Sequence, residues 1–322
     1  MTTILRTAGT LVGDLYLRSI SAVRGEMRSR AIGEDPNRHS QSFCIYVHYD
    51  RGRTLHRYVR DQVAALAVHG YRIIFVSHAR SRPDLEALAP HCMQLFHRRN
   101  IGHDFGAYGF GLRWLHMQGL QPADVILTND SCYGYFAGLG DMLAASRASK
   151  AALWGVTESY DIAYHLQSYF LRISAELYAS KRFWTFVDRL PRTGNRRRVI
   201  RAGEIGLTQH LLREGFSTES FVAYKDLVAD WNTCREKRPA LRPGEREFAE
   251  WLESCLIRGR PMNPTHCFAD RLIERFHVPL VKKDLLRVNP LGVPHLDRIE
   301  QLVTSGGGDF SSVAEHLKFG DL

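Results

Sequence analysis

The sequence predicts an α/β fold built on a mostly parallel sheet with helices on both faces. Between residues 43 and 127, short apolar stretches of strand length alternate with longer amphipathic stretches of helical period. This alternation is typical of a parallel sheet that is covered on both sides. The chain has 322 residues, of which 44% are hydrophobic, so it is long enough to bury a large core.

The central strand is predicted at residues 125–127, which are three consecutive large aliphatic residues ending in Asn129, Asp130 and Ser131. Earlier in the chain, strands are predicted at 43–50, 72–77 and 93–96, and helices at 54–70, 83–88 and 104–117. Asp104 is predicted to cap the last of these helices. Open α/β sheets bind ligands at the carboxyl ends of their strands, so Asp130 is the first candidate for function.

Beyond residue 131 the pattern is less regular and predicts more helix. Strands are predicted at 153–157 and 167–173, and helices at 139–148, 183–190, 204–212 and 231–256. We therefore expect one domain over residues 41–290, with a nucleotide-binding half at 41–131 and an acceptor half at 132–290. Residues 291–322 form a C-terminal tail.

Residues 1–40 differ in composition from the rest of the chain and predict a basic amphipathic segment. Apolar residues recur there at roughly helical intervals among arginines that include Arg6, Arg18, Arg28 and Arg30. Such a helix can lie on an anionic membrane, or it can pack on its own domain, and the sequence leaves both interpretations open.

Charge and cysteine usage narrow the class of protein. The net charge of +9 favours anionic partners such as nucleotide diphosphates or acidic lipids, and no nucleic-acid module signature accompanies it. The six cysteines form no CxxC pair, which indicates buried thiols in a reducing compartment. We find no signal peptide and no apolar run of membrane-spanning length, so we expect a cytoplasmic protein, with contact at the inner membrane face as an option.

Several motifs in order resemble one known family. They are VHYD at 47–50, RNIGHDFGAYGFG at 99–111, LTNDS at 127–131, WGVTES at 154–159, HLQSYF at 165–170, EIGLTQ at 204–209 and NPTH at 263–266. Together they resemble the rhamnan synthesis protein F family of bacterial cell-surface polysaccharide glycosyltransferases, over roughly residues 42–290. The resemblance implies a GT-A-like enzyme that moves rhamnose or a related sugar from a nucleotide-diphosphate donor to a glycan or O-antigen.

The resemblance also implies a divalent ion at the tip of the central strand. GT-A enzymes use a DxD-like turn to hold Mg²⁺ or Mn²⁺ against the diphosphate, and hard oxygen ligands suit these ions. We assign the metal to Asp130, with His266 of the NPTH motif as a second ligand. The turn here has a single carboxylate between Asn129 and Ser131, which leaves room for a metal-independent enzyme that relies on basic side chains. The alternative for Asp130 is a cap on the following turn.

Donor-binding residues are predicted at strand ends and in the glycine-containing loop. Glycines permit close backbone approach to a ligand, and a helix N-terminus favours phosphate. An aromatic side chain at a strand end can stack on a base, and a hydroxyl can bond its edge. The predicted donor set is His48, Tyr49, Ser77, Arg99, Asn100, Gly102, Asp104, Asn129, Ser131 and Lys282. Lys282, Lys283 and Arg287 can form a phosphate clamp, although a charge cluster is usually only a solvated face.

Glu204 is predicted as the general base of an inverting transfer. A carboxylate must take the proton of the attacking acceptor hydroxyl, and Glu204 lies just before a helix on the acceptor side. Its rivals are Glu158 and Asp161, and helix capping is the structural alternative. The predicted acceptor or donor-sugar pocket contains Glu158, His165 and Gln167.

We therefore expect an inverting glycosyltransferase that transfers a sugar, with rhamnose as the first choice, to a glycan or lipid-linked glycan. The alternative is a glycosyltransferase-like binding protein that has lost its chemistry and acts in a polysaccharide assembly complex.

Overall fold

The computed structural model describes residues 25–52, 54–78, 85–235 and 243–319. The strands are β1 (Met27–Ile32), β2 (Ser42–His48), β3 (Arg72–Ser77), β4 (Cys92–Arg98), β5 (Asp124–Asn129), β6 (Cys132–Gly134), β7 (Leu153–Ser159), β8 (His165–Leu166), β9 (Phe170–Ser174), β10 (Thr218–Val222) and β11 (Leu280–Lys282). They confirm a mixed α/β fold with a largely parallel central sheet flanked by helices.

The helices begin with α1 (Arg57–Val68), α2 (His103–Met117), α3 (Leu139–Ala148), α4 (Ala175–Ala179), α5 (Lys181–Asp188), α6 (Arg196–Val199) and α7 (Gly206–Arg213). The C-terminal part adds α8 (Tyr224–Arg235), α9 (Pro243–Ile257), α10 (Pro264–Cys267), α11 (Ala269–Glu274), α12 (Lys283–Arg287), α13 (Asp297–Ser305) and α14 (Ser311–Lys318). A turn of π-helix, Ile200–Ile205, joins α6 to α7.

The central sheet has the order β1-β4-β3-β2-β5-β9-β7-β10, and β8 pairs with β7 beside it. Strands β4, β3, β2 and β5 are parallel, whereas β9 runs antiparallel between β5 and β7. The chain leaves β2 toward β3 and β4, and then returns through α2 to place β5 on the other side of β2. This order has a topological switch point between β2 and β5, where the connections diverge and leave a crevice.

The side chains of β2 show why the sheet is covered on both faces. Phe43, Ile45 and Val47 lie in a core cluster with the apolar side chains of α2, and Cys44 and Tyr46 lie in a second cluster with those of α1. Successive side chains of a strand point to opposite faces, so a continuous apolar run buries both.

Two predictions of secondary structure are wrong: part of the N-terminal segment is a strand, and a different residue caps α2. The amphipathic segment predicted at 1–40 falls mostly outside the described residues, but residues 27–32 form β1, which pairs antiparallel with β4. Asp104 does not cap α2; Gly102 does, with φ of 79°. A Cβ at Gly102 would meet the Pro191 carbonyl oxygen at 2.8 Å, so this position requires glycine for both its conformation and its space.

Other predicted boundaries shift by a few residues. The strand predicted at 167–173 is divided into β8 and β9, and the helix predicted at 231–256 is two helices whose connecting residues lie outside the described ranges. Part of the helix predicted at 83–88 also lies outside them. Within the described ranges, no helix combines the length and the apolarity needed to cross a bilayer.

Candidate active site

A cavity of about 420 Å³ opens at the carboxyl ends of β2 and β5, at the switch point of the sheet. Its walls come from the β2 and β5 strand ends, the N-terminal turn of α2, the π-helical turn and the residues that follow β11. Nine of the predicted site residues line it: Tyr49, Asn100, Asp104, Asn129, Asp130, Ser131, Glu204, Lys282 and Lys283. The topology therefore brings together side chains that are far apart in the sequence.

Asp130 is buried, and both of its carboxylate oxygens accept hydrogen bonds. Its Oδ2 accepts hydrogen bonds from Lys283 Nζ at 3.1 Å and from Tyr58 Oη at 3.4 Å, and its Oδ1 accepts one from the Tyr49 backbone N–H at 3.4 Å. Burial lowers the pKa of Lys283, but the Asp130 carboxylate outweighs this effect and raises it above its ordinary value. Asp130 and Lys283 therefore form a partly buried ion pair at the wall of the cavity.

The neighbouring Asn129 ties the strand tip to α2. Its amide Nδ2 donates to Asp104 Oδ2 at 3.2 Å, while its Oδ1 accepts from the backbone N–H and the hydroxyl of Ser131. Burial raises the pKa of Asp104 to about 6, and the nearby Asp130 and Glu204 carboxylates add to the shift, whereas Lys282 opposes it. Asp104 thus lies in the same electrostatic environment as the two other predicted acids.

Glu204 lies in the π-helical turn, and its backbone position is set by close packing. Gly203 contacts the ring of Phe105 so closely that a Cβ there would lie 2.4 Å from Phe105 Cγ. Glu204 Oε1 accepts a hydrogen bond from the Ser168 backbone N–H at 2.9 Å. This bond orients the half-buried carboxylate in the cavity wall, and π-helical turns frequently accompany functional sites.

The two lysines arrive from the C-terminal part of the chain. Strand β11 pairs antiparallel with β6, and this pairing places Lys282 opposite Cys132. Lys282 Nζ donates to Ser131 Oγ at 3.0 Å and lies 5.1 Å from the centre of the Tyr169 ring. Arg287, predicted as a third member of the clamp, is directed instead toward α14, where its guanidinium contacts His316 and the Phe319 carbonyl oxygen.

An aromatic wall stands at the end of the cavity near β2. The rings of Tyr49 and His78 meet edge to face with their centres 6.1 Å apart. Burial lowers the pKa of His78 to about 3, and Arg98 adds to this, so the ring is neutral at physiological pH. His48 and Ser77 hydrogen-bond each other at 3.1 Å below this wall and do not line the cavity.

The other predicted residues lie outside the cavity lining, where several have visible structural roles. Glu158 accepts hydrogen bonds from the Tyr224 backbone N–H and the Ser220 hydroxyl, which joins β7 to β10 and α8. Gln167 donates to Asn263, whose side chain caps α10. The remaining three are Arg99, His165 and His266, and Gly102 serves the turn described above. Their predicted functional roles stay predictions.

The side chains around Asp130 do not fit a divalent metal ion bound to its carboxylate. One oxygen of Asp130 accepts from the Lys283 ammonium group and from the Tyr58 hydroxyl, and the other accepts from the Tyr49 backbone N–H. A dication beside Lys283 would experience strong like-charge repulsion in this buried place. In the described part of the chain, no group of three or more His, Cys, Asp and Glu side chains is arranged to hold a metal ion.

The sequence comparisons identify the family. The model of the family described as rhamnan synthesis protein F matches residues 73–235, which is half of the chain. The chain belongs to the rhamnan synthesis protein F family. This description points to rhamnan or other polysaccharide synthesis, as the motifs in the sequence predicted.

Two curated relatives resemble this rhamnan synthesis protein F member. An uncharacterized protein, y4gN of Sinorhizobium fredii, is 29% identical over 187 residues, which cover 56% of this chain and 49% of that protein. The virulence protein VirA of Vibrio anguillarum is 27% identical over 227 residues, which cover 68% of this chain and 70% of that protein. The chain therefore spans about half the length of the first relative.

Sequence reasoning missed some of the residues that line the cavity of this rhamnan synthesis protein F member. They include Arg51, His78, His103, Phe105, Ser168 and Arg196. His78 had a usable signal, because it directly follows the strand predicted at 72–77. Ser168 had none, since its contribution to the Glu204 contact is a backbone N–H that any residue provides.

Proposed function

We propose that this protein is a glycosyltransferase that moves a sugar from a nucleoside-diphosphate donor to a growing cell-surface glycan. The observation that carries the proposal is the single cavity at the switch point, in which Asp104, Asp130 and Glu204 meet basic and aromatic side chains. Rhamnose is the proposed sugar, because the family is described by rhamnan synthesis.

The strand order supports a GT-A-like nucleotide-binding half. Strands β4, β3, β2 and β5 have the 3-2-1-4 order of a Rossmann half, and ligands of such sheets bind at the switch point. In the proposed complex, the nucleoside lies against Tyr49 and His78, where an aromatic face is available for the base. The diphosphate then lies toward the lysines.

The proposed chemistry is a direct displacement with inversion at the anomeric carbon. The acceptor hydroxyl oxygen forms a bond to this carbon as the bond to the diphosphate oxygen breaks, and Glu204 takes the hydroxyl proton. The hydrogen bond from the Ser168 N–H engages one oxygen of Glu204, and among the described contacts the other oxygen has no partner. A positioned carboxylate with one free oxygen is what a general base requires.

The proposed acceptor is a glycan, free or lipid-linked. A lipid-linked acceptor would be reached at the inner face of the membrane, and an exposed arginine-rich segment supports contact with anionic lipid there. This segment, residues 189–201, contains Arg189, Arg192, Arg196, Arg197, Arg198 and Arg201, and Arg196 also lines the cavity. Lipid phosphates attract such clusters.

A nucleotide-sugar panel tests the proposal. Thermal shift identifies the donor, because a ligand that binds only the native state raises the melting temperature. Release of nucleoside diphosphate, measured with and without a glycan acceptor, then reports chemistry. Donor binding without release under any condition would favour the alternative of a non-catalytic binding protein, and no binding at all would remove the proposed function.

Glu204→Gln is the variant that tests the base. Glutamine keeps the oxygen that accepts from Ser168, so the fold and donor binding should remain, while transfer should fall roughly 100- to 10,000-fold. Glu176→Gln is the matched control, because it is the same change at an exposed glutamate that does not line the cavity. Equal activity of Glu204→Gln and wild type would assign the proton to another group.

A further inference from the structure

We propose that Lys282 and Lys283, and not a divalent ion on Asp130, neutralise the diphosphate of the donor. The inference rests on the proposed function and specifies how the leaving group is held. It differs from the metal assignment drawn from the sequence, because Asp130 becomes a positioning residue for a lysine and no longer a ligand.

The fold delivers both lysines to the strand tip together. The pairing of β11 with β6 fixes Lys282, and the Lys283 backbone N–H donates to the Ser131 carbonyl oxygen at 2.9 Å. Two consecutive cationic residues are therefore bonded to the backbone that directly follows Asp130. Both of their side chains line the cavity.

Lys283 occupies the space that a metal bound to Asp130 Oδ2 would need. Its Nζ lies 3.1 Å from Asp130 Oδ2 and 3.2 Å from Tyr58 Oη. An ammonium group has three donors, and these two contacts leave one for an incoming phosphate oxygen. Asp130 therefore orients Lys283 at the cavity wall without using all of its donors.

Lys282 forms no salt bridge with a carboxylate among the described contacts, although its charge acts on the nearby Asp104. Its partners are the neutral Ser131 hydroxyl and the face of the Tyr169 ring. A cation held by neutral groups at the wall of a cavity is ready to bind an anion. Arg51 and Arg196 line the same cavity and add positive charge at its rim.

The two ways of holding a diphosphate give opposite results for Asp130→Asn. If Asp130 holds a metal, losing its charge removes the metal and with it the affinity for diphosphate. If Asp130 orients Lys283, asparagine can keep an oxygen that accepts from Nζ while it removes the opposing charge, so the affinity should be equal or higher. Lys282→Met should weaken binding roughly 10- to 100-fold under our proposal, since it removes a charge-assisted hydrogen bond.

Isothermal titration calorimetry on the full chain makes this comparison. The probes are inorganic pyrophosphate and the nucleoside diphosphates UDP, dTDP and GDP, each titrated with excess EDTA and again with Mn²⁺. We expect the preferred nucleoside diphosphate to bind equally well in both conditions. Lys150→Met, which removes an exposed lysine outside the cavity, is the control and should bind as wild type does.

Binding by wild type only when Mn²⁺ is present would overturn the inference and leave the proposed function standing. Loss of affinity in Asp130→Asn, with circular dichroism and melting temperature unchanged, would overturn it as well. Should Asp130→Asn fail to fold, the wild-type comparison between EDTA and Mn²⁺ still decides. Absence of binding for all three nucleoside diphosphates in both conditions would remove the proposed function and the inference together.

Discussion

Gly203→Ala tests whether packing of the π-helical turn positions Glu204. Gly203 does not have a positive φ, so alanine is compatible with its backbone and the substitution acts through space alone. The added Cβ would lie 2.4 Å from Cγ and 2.7 Å from Cδ2 of Phe105. Both distances are below 3.0 Å, a separation that real Cβ atoms essentially never show, so the ring or the turn must move.

The ring has little freedom to move. Phe105 is buried, and its ring packs edge to face against Tyr108 with the centres 5.7 Å apart. Overpacking of this kind typically costs about 1 to 3 kcal/mol of unfolding free energy. Because Glu204 directly follows the substituted residue, the same displacement should lengthen its 2.9 Å hydrogen bond with Ser168 and reduce transfer.

Urea unfolding followed by circular dichroism measures the stability term. Gly244→Ala is the matched control, because a Cβ there meets no atom within 4 Å. Alanine at this helical position should raise the unfolding free energy by about 0.4 to 1 kcal/mol. Phe105→Leu in the Gly203→Ala background should recover part of the loss, as expected for two residues in contact. Wild-type stability and activity in Gly203→Ala would refute this account of how Glu204 is positioned.

Two further predictions concern pH and the arginine-rich segment. Asp104 has a pKa raised to about 6, so between about pH 4 and 6 the folded state keeps its carboxyl proton while the unfolded state loses it. The unfolding free energy should therefore fall by up to roughly 3 kcal/mol as the pH rises through that window. Asp104→Asn should remove this decline in urea unfolding from pH 4 to 7, and an unchanged slope would contradict the assignment. Glutamine at residues 196–198 should weaken sedimentation with phosphatidylglycerol vesicles about 100-fold, at roughly 1 kcal/mol per arginine. Its control carries glutamine at three exposed arginines outside both basic segments: Arg60, Arg258 and Arg260.

The central strands were predictable because each buried strand is a short run of consecutive apolar residues. Every residue of β5 is buried, and exposing its run of aliphatic side chains to water would be unfavourable. Strand β1 had no such signal, since five of its six residues are exposed and two of them are arginines. Its place in the sheet comes from backbone pairing with β4, which any sequence without proline can make.

The candidate site was predictable where a residue type meets a strand end, and unpredictable where function depends on a distant partner. Asp130 and Glu158 both lie near the ends of buried strands, yet one lines the cavity and the other joins β7 to β10. The π-helical turn was predicted as the start of an ordinary helix, because π and α turns need no difference in composition. Its position follows from the contact between Gly203 and Phe105, which lie far apart in the sequence.

The ion pair of Asp130 with Lys283 joins residues 153 positions apart in the sequence. The match to the family model therefore does not account for both partners of this pair. The family model ends at residue 235, so it covers Asp104, Asp130 and Glu204 but neither lysine. A match to this region alone therefore carries no information about Lys282 and Lys283. Under our proposal, binding of the diphosphate depends on Lys282 at the end of β11 and on Lys283, which follows it. Calorimetry on relatives with and without a lysine at the equivalent of Lys283 should separate metal-dependent from metal-independent members.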